Sequence, residues 1–147
     1  MSNCFYKKGG SKKYVLLEFI MYKLEFSPSV DIDTSYCVFK RNGNLFINAG
    51  YEWDGASGPT IDTDDTMDGS LMHDVLYQLM REEKLSRKFR RKADNAIHKM
   101  CIAAAYKVID NSDINIFRKA VRKAGVSIRF DLWYVGLRIG GGSSARQ

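Results

Sequence analysis

The sequence has few cysteines, and they are not arranged for a disulfide framework or a zinc site. Cys4, Cys37 and Cys101 are odd in number and widely separated, with no CxxC pair and no histidine at the spacing of a metal ligand. Disulfide-rich and zinc-binding domains show paired cysteines at short, regular spacings. We therefore expect three reduced thiols in a protein made in the cytoplasm.

Long hydrophobic runs are also missing. The apolar run at residues 15–22 is interrupted by Glu18 and is far too short to span a bilayer. The basic start, MSNCFYKKGGSKK, lacks the apolar core and cleavage site of a secretory signal. We expect neither a transmembrane segment nor secretion by the usual signal.

The composition is that of an ordinary globular protein. With 147 residues, 45% of them hydrophobic and 27% charged, the chain is long enough for one packed domain and too short for two. The net charge is +6, with acids concentrated before Asp74 and bases dominating residues 81–129. A basic face of this kind favours phosphate-bearing partners such as lipid headgroups. Nucleic acid is the weaker alternative, because no exposed aromatics are interleaved with the bases.

The first third of the chain shows the pattern of a small antiparallel sheet. Residues 1–12 are interpreted as a flexible arm, and residues 13–26, 35–40 and 45–49 as strands. Asn42-Gly43 lies between the last two strands, and this dipeptide is typical of a hairpin turn because both residues tolerate positive φ.

The rest of the chain shows helical periodicity. A first helix has Asp68 as its predicted N-cap and an apolar stripe at Leu71, Met72, Val75, Leu76, Leu79 and Met80. Further helices are predicted at 86–108 and at 113–124, with Gly125 ending the latter. Residues 128–139 fit a strand or a helix and are interpreted as a helix, followed by a flexible tail at 140–147. We therefore predict a single α+β domain at 13–139, a hairpin sheet followed by three or four helices.

Potential chemistry is concentrated between Gly50 and Asp94. His73 shares one side of the first helix with Tyr77, at the border of the core. If the first two helices pack antiparallel, Asp94 on the second can reach the imidazole. A carboxylate that accepts the ring N–H leaves the other nitrogen free to take a proton from water. The pattern thus predicts a general-base dyad of His73 and Asp94.

A general base alone is too weak for ester hydrolysis, so we also expect an electrophile. Asp74, with Asp54 or backbone carbonyls of the loop from Gly55 to Gly58, is the candidate site for Ca²⁺, a cation that prefers oxygen ligands. The acidic run DTDDTMDG does not fit an EF-hand, because His73 stands where the bidentate Glu belongs.

The motifs GYEWDGASGP and HDVLY, followed one helix later by Ala93-Asp94, resemble a phage and prophage family known as domain of unknown function one-three-five-three. The resemblance covers residues 45–102 and extends to the aromatic stretch 131–140. It implies a viral or prophage origin, and a protein made in the host cytoplasm that could be virion-associated, but no established activity.

His73-Asp74-x-x-Tyr77 followed by Ala93-Asp94 is also similar to the catalytic core of phospholipases of the A-two class, especially the forms carried in parvovirus capsids. That resemblance implies that His73 activates water and that Asp74 ligates Ca²⁺ together with loop carbonyls. It also implies that Asp94, steadied by Tyr77, orients the histidine.

Two main functional classes remain open from the sequence, with nucleic-acid binding through the basic face as a third reading. The first is a phage-encoded, metal-dependent, phospholipase-like hydrolase that acts at an anionic phospholipid surface. The second is a non-catalytic virion or accessory protein that binds a phage or host partner, with the same residues forming a structural polar network. Asp54 is equally compatible with a simple turn residue.

Overall fold

The computed structural model describes residues 4–9, 12–55 and 64–144. Within them, seven short strands precede three long helices, which confirms the predicted α+β class. The strands are β1 Tyr6–Lys8, β2 Tyr14–Leu16, β3 Ile20–Lys23, β4 Ile32–Asp33, β5 Cys37–Phe39, β6 Asn44–Ile47 and β7 Glu52–Trp53. The helices are α1 Asp64–Arg81, α2 Arg90–Asp110 and α3 Ile116–Ser144, with a 3₁₀ turn at Arg87–Phe89 before α2.

The described strands form two antiparallel sheets. One has the order β1-β2-β7 and the other the order β3-β6-β5-β4. The predicted hairpin joins β5 to β6, with Gly43 at a φ of +87°. Along β3, Ile20 and Tyr22 are buried while Met21 and Lys23 are exposed, so one face of the sheet meets the core.

Two predictions for the first 26 residues are corrected. The predicted flexible arm at 1–12 contains β1, which pairs with β2, and the Tyr6 ring packs edge-on against Tyr14 and Trp53 at centroid distances of 5.3 and 5.8 Å. The stretch 13–26 is two strands rather than one, and they belong to different sheets. Both differences follow from contacts with residues distant in the sequence.

Helix α1 begins earlier than predicted. Its first residue is Asp64, so Asp68 lies inside the helix and is not its N-cap. The Asp68 carboxylate instead accepts a hydrogen bond from the backbone N–H of Cys4 at 2.7 Å, which fastens the N-terminal strand to the helix. The predicted apolar stripe from Leu71 to Met80 is buried.

Helices α1 and α2 pack closely and antiparallel. A Cβ at Gly69 would lie 3.0 Å from a side-chain carbon of Ile97 and 3.1 Å from the Cys101 sulfur, so any larger residue would have to push these side chains back. Further along α1, His73 contacts Asp94, which lies earlier in α2. The two helices therefore run in opposite directions, and His73 lies opposite Asp94.

Helix α3 is continuous where two helices were predicted. It runs through Gly125, predicted to end a helix, and includes residues 140–144 of the predicted tail. Glycine in a helix interior costs only about 1 kcal/mol relative to alanine. Burial of Phe130, Trp133 and Leu137 on the same side as half-buried Val126 offsets that cost.

Helices α2 and α3 are also antiparallel, and polar pairs connect them along their length. The pairs are Tyr106 with Ser127 at 2.6 Å, His98 with Asp131 at 2.9 Å, Asn95 with Tyr134 at 2.6 Å and Asp94 with Arg138 at 2.6 Å. The last pair brings the C-terminal helix to the candidate site. None of the described helices combines the length and the apolar character needed to cross a membrane.

Candidate active site

The structure brings His73 and Asp94 together as predicted. His73 Nε2 lies 2.9 Å from Asp94 Oδ1, across the contact between α1 and α2. The imidazole is 5% exposed and the carboxyl group is fully buried. Within the described part of the chain, the other ring nitrogen, Nδ1, has no hydrogen-bond partner. The ring is therefore fixed at one nitrogen by an acid, as a general base requires.

Tyr77 completes the predicted trio. Its hydroxyl donates to the same Asp94 oxygen at 2.7 Å, and its ring lies against the imidazole with a centroid distance of 4.1 Å. Tyr77 follows His73 by one helical turn, so both side chains leave α1 on the same side. Burial, aided by the hydrogen bond to Asp94, raises the Tyr77 pKa, so the phenol keeps the proton that it donates.

Two arginines that the sequence reading missed also contact this group. Arg138 donates from a guanidinium nitrogen to Asp94 Oδ2 at 2.6 Å. Arg90 Nε lies 3.2 Å from the Tyr77 hydroxyl and 3.8 Å from Asp94 Oδ2. Arg90 also donates to the carbonyls of Leu137 and Arg138 at 3.0 and 2.7 Å. The contact of Arg90 with Asp94 could have been predicted, because the two residues are four positions apart on one helix. No sequence pattern indicated the contact of Arg138.

These donors keep Asp94 ionised although it is buried. Burial alone would raise the pKa of this carboxyl, but hydrogen bonds from His73, Tyr77 and Arg138 outweigh burial and lower it. Since the carboxylate carries no proton, the His73 Nε2 must carry the one that joins them. Nδ1 of the neutral ring is then the proton acceptor.

Asp74 follows His73 by one residue, so its side chain leaves α1 about 100° around the helix from the imidazole. Burial is the main reason that its pKa is raised to about 6, and the charge of Asp54 acts in the same direction. The charge that His73 carries when protonated, and the charges of Lys12 and Arg81, act in the opposite direction. A partly desolvated carboxylate beside another acid is in a position that an added cation would stabilise.

The predicted metal ligands are only partly described. Asp54 is exposed, with its Oδ2 4.0 Å from Lys12 Nζ, and Gly55 adopts a φ of +85°. Gly58 lies outside the described residues. No cluster of three or more His, Cys, Asp or Glu side chains in the described ranges is placed to hold a metal ion. Asp74 and Asp54 therefore fit Ca²⁺ only if backbone carbonyls supply most of the ligands, as Ca²⁺ permits.

A groove of about 540 Å³ runs along α1 next to the strands. Lys12, Tyr51, Gln78 and Arg81 are among the residues that line it. Lys12 and Arg81 are also the cations that act on Asp74, so the groove lies on the Asp74 side of the helix. Glu52 and Glu82 line it as well, so its two bases are matched by two acids.

Comparison with known proteins does not identify a relative. No family model matches the sequence, and no curated protein or solved structure matches it either. The roles of His73, Tyr77 and Asp94 are therefore inferred from their geometry and chemistry.

Proposed function

We propose that the protein is a phage-encoded, metal-dependent hydrolase of the phospholipase type. The observation that supports this proposal is the buried contact of 2.9 Å between His73 Nε2 and Asp94 Oδ1, with the Tyr77 hydroxyl on the same oxygen. A histidine oriented by an acid and a tyrosine is the arrangement that such an enzyme needs to activate water.

In the proposed reaction, His73 Nδ1 takes a proton from water as the water attacks an ester carbonyl. The ester C–O bond then breaks, and the imidazolium returns the proton to the leaving alkoxide, which departs as an alcohol. The imidazolium that forms is stabilised by Asp94, which remains ionised because Arg138 and Tyr77 hold its charge. General-base catalysis of this kind contributes about 10²–10⁴-fold to the rate. Asp94 and Tyr77 do not exchange protons with substrate in this scheme; they position the base.

The proposed cofactor is Ca²⁺, which Asp74 and Asp54 would hold together with backbone carbonyls of Gly55 and Gly58. A bound cation of this class would stabilise the negative charge that develops on the carbonyl oxygen. At the low affinity typical of extracellular sites, about 10⁻⁴–10⁻³ M, the site would fill outside the host cell rather than inside it. The enzyme would then act after release or from a virion.

The decisive experiment measures Ca²⁺-dependent release of fatty acid from phospholipid vesicles. His73→Gln removes the proton-accepting nitrogen and should lower turnover by about 10²–10⁴-fold. The matched control is His98→Gln, because His98 also contacts an aspartate at 2.9 Å, Asp131, but lies outside the site. The control should keep wild-type activity.

Two further readouts separate the metal from the base. Millimolar Ca²⁺ should raise the melting temperature of the wild type and not of Asp74→Asn, since a ligand that binds only the folded state stabilises it. Absence of fatty acid release by the wild type over a range of phospholipids and divalent cations would contradict the proposal.

The second candidate is a non-catalytic phage virion or accessory protein that binds a phage or host partner. It is favoured by one observation: Asp94 is fully buried and His73 nearly so, while two arginines engage the carboxylate or its tyrosine. A buried network of this kind also serves purely to fix a fold. Under this alternative, His73→Gln would destabilise the protein, and neither the wild type nor any variant would hydrolyse phospholipid.

A further inference from the structure

Helix α3 has an apolar face that nothing in the described part of the chain covers. Six side chains on this face are between 52% and 80% exposed: Phe117, Val121, Ile128, Leu132, Val135 and Ile139. Isolated exposed apolar residues are common, but a contiguous row along one helix marks a surface that meets an apolar partner.

The six residues are aligned rather than scattered. At the α-helical repeat of 3.6 residues per turn they fall within an arc of about 60° around α3. The side that packs on α2, with Phe130, Trp133 and Leu137, is opposite. The helix therefore has two apolar faces, one buried against its own domain and one turned outward. We call the outward row the α3 outer face.

One border of the α3 outer face is a row of arginines. Arg118, Arg122 and Arg129 are exposed and lie about 80–120° around the helix from Ile128. On the other border, Arg138 follows Val135 by three residues. Helix α3 carries six bases and one acid, a net charge of +5 in a chain whose total is +6. Nearly all the net positive charge of the protein is thus on the helix that exposes the apolar row.

This charge disfavours a second copy of the chain as the occupant. From Val121 to Ile139 the row has the alternating spacing of four and three residues that is typical of a coiled coil, with Gly125 at one contact position. It covers fewer than three heptads, however, and the arginines beside it would face like charge in a second copy. A partner with dense negative charge and an apolar interior fits both features.

We propose that the α3 outer face lies on an anionic phospholipid bilayer, with the helix parallel to the membrane plane. A helix with one apolar side bordered by arginines sits at the boundary between headgroups and acyl chains. The apolar row enters that boundary, and the arginines contact the lipid phosphates. The opposite side of α3 is already packed on α2, so binding of α3 would hold the whole domain at the membrane surface.

One residue, Arg138, lies at a border of this surface and also contacts the candidate active site. Arg138 at the border of the α3 outer face is the residue whose guanidinium contacts Asp94 at 2.6 Å. The inference extends the proposed function, because it names how the protein would reach a lipid substrate. Binding is measured without turnover, so the two proposals can fail separately.

The test is co-sedimentation of the full chain, in EDTA, with vesicles of phosphatidylcholine alone or mixed with phosphatidylglycerol. The wild type should bind the mixed vesicles at least tenfold more tightly than the neutral ones, and the difference should shrink as salt is added. The double variant Ile128→Gln/Leu132→Gln should lose at least tenfold in affinity. Arg118→Gln/Arg122→Gln should lose the preference for phosphatidylglycerol.

The matched control is Phe19→Gln/Val30→Gln, which changes two exposed apolar residues, 73% and 66% exposed, outside the helix. It should bind as the wild type does, and unchanged thermal unfolding of each variant should verify folding. Equal binding to both vesicle types, or wild-type binding by the Ile128/Leu132 variant, would overturn the proposal. So would self-association in sedimentation equilibrium that this variant abolishes, since a second copy would then cover the face. Wild-type vesicle binding by His73→Gln is the expected result whether or not the protein is a hydrolase.

Discussion

A guanidinium nitrogen of Arg138 lies 2.6 Å from Asp94 Oδ2, joining the last helix to the centre of the candidate site. The partner oxygen of the same carboxylate is shared by His73 and Tyr77. Both oxygens of a fully buried acid are therefore satisfied, and they are satisfied by three different side chains. Each of those side chains should contribute to holding Asp94 ionised.

Replacing Arg138 with Met should destabilise the fold by about 2 kcal/mol, because hydrogen bonds to charged groups are worth about 1.5–3 kcal/mol. Methionine keeps the apolar stem and removes the charge that faces Asp94. Urea unfolding gives the free energy, with Arg118→Met as the control, an exposed arginine on the same helix whose loss should cost less than about 0.5 kcal/mol. Equal stabilities of the two variants would mean that the Arg138 contact contributes nothing.

Removing the Tyr77 hydroxyl should cost more than removing a comparable hydroxyl elsewhere. Tyr77 donates to a carboxylate, whereas Tyr51 donates to the neutral amide oxygen of Gln78 at 3.0 Å. We expect a loss of about 2 kcal/mol for Tyr77→Phe and about 1 kcal/mol for Tyr51→Phe, measured by urea unfolding. If the hydrolase proposal holds, Tyr77→Phe should also lower turnover, though less than His73→Gln, because the ring still packs on the imidazole. A larger cost for Tyr51→Phe would contradict the assignment of charge to Asp94.

The contact between His73 and Asp94 could be predicted from the sequence because it depends on local regularities. Apolar periodicity placed His73 and Tyr77 on one side of α1 and placed Asp94 beside buried Ala93 and Ile97 on α2. The short connection between the helices made an antiparallel pair the natural arrangement. What the sequence could not supply was the distance of approach, which Gly69 allows by leaving space for Ile97 and Cys101.

The contact of Arg138 with Asp94 could not be predicted in the same way. Gly125 is a typical residue at a helix end, so the sequence predicted a break there and left the direction of the following segment undefined. In the structure, packing of Phe130 and Trp133 on α2 carries the helix through the glycine. The strand at Tyr6–Lys8 escaped prediction for a related reason: it depends on pairing with β2 and on rings that lie far along the chain.

Two glycine-to-alanine substitutions should have opposite effects on stability. At Gly43, φ is +87° and an added Cβ would lie 2.6 Å from the carbonyl oxygen of Leu24, so Gly43→Ala should cost about 1–3 kcal/mol. At Gly136, inside α3, an added Cβ meets nothing within 4 Å, so Gly136→Ala should stabilise by up to about 1 kcal/mol. Thermal unfolding of both variants tests the hairpin and the continuity of α3 together. Destabilisation by Gly136→Ala would contradict a continuous helix there.

Asp74 should make the stability of the protein depend on pH in the direction opposite to that of Asp94. Its pKa is raised from 3.8 to about 6, chiefly by burial, so the folded state binds a proton more tightly than the unfolded state does. The contribution of this carboxyl is fully present below pH 3.8 and is lost as the pH rises through 6.

Asp74→Asn removes that dependence, since the amide stays neutral at every pH. The variant should be more stable than the wild type by on the order of 2 kcal/mol at pH 8, and the difference should shrink towards zero near pH 4. Urea unfolding of both proteins in EDTA, at pH values between about 4 and 8, measures the difference in their free energies of unfolding. A variant that is less stable than the wild type at pH 8 would show that the ionised carboxylate has stabilising partners that outweigh its burial.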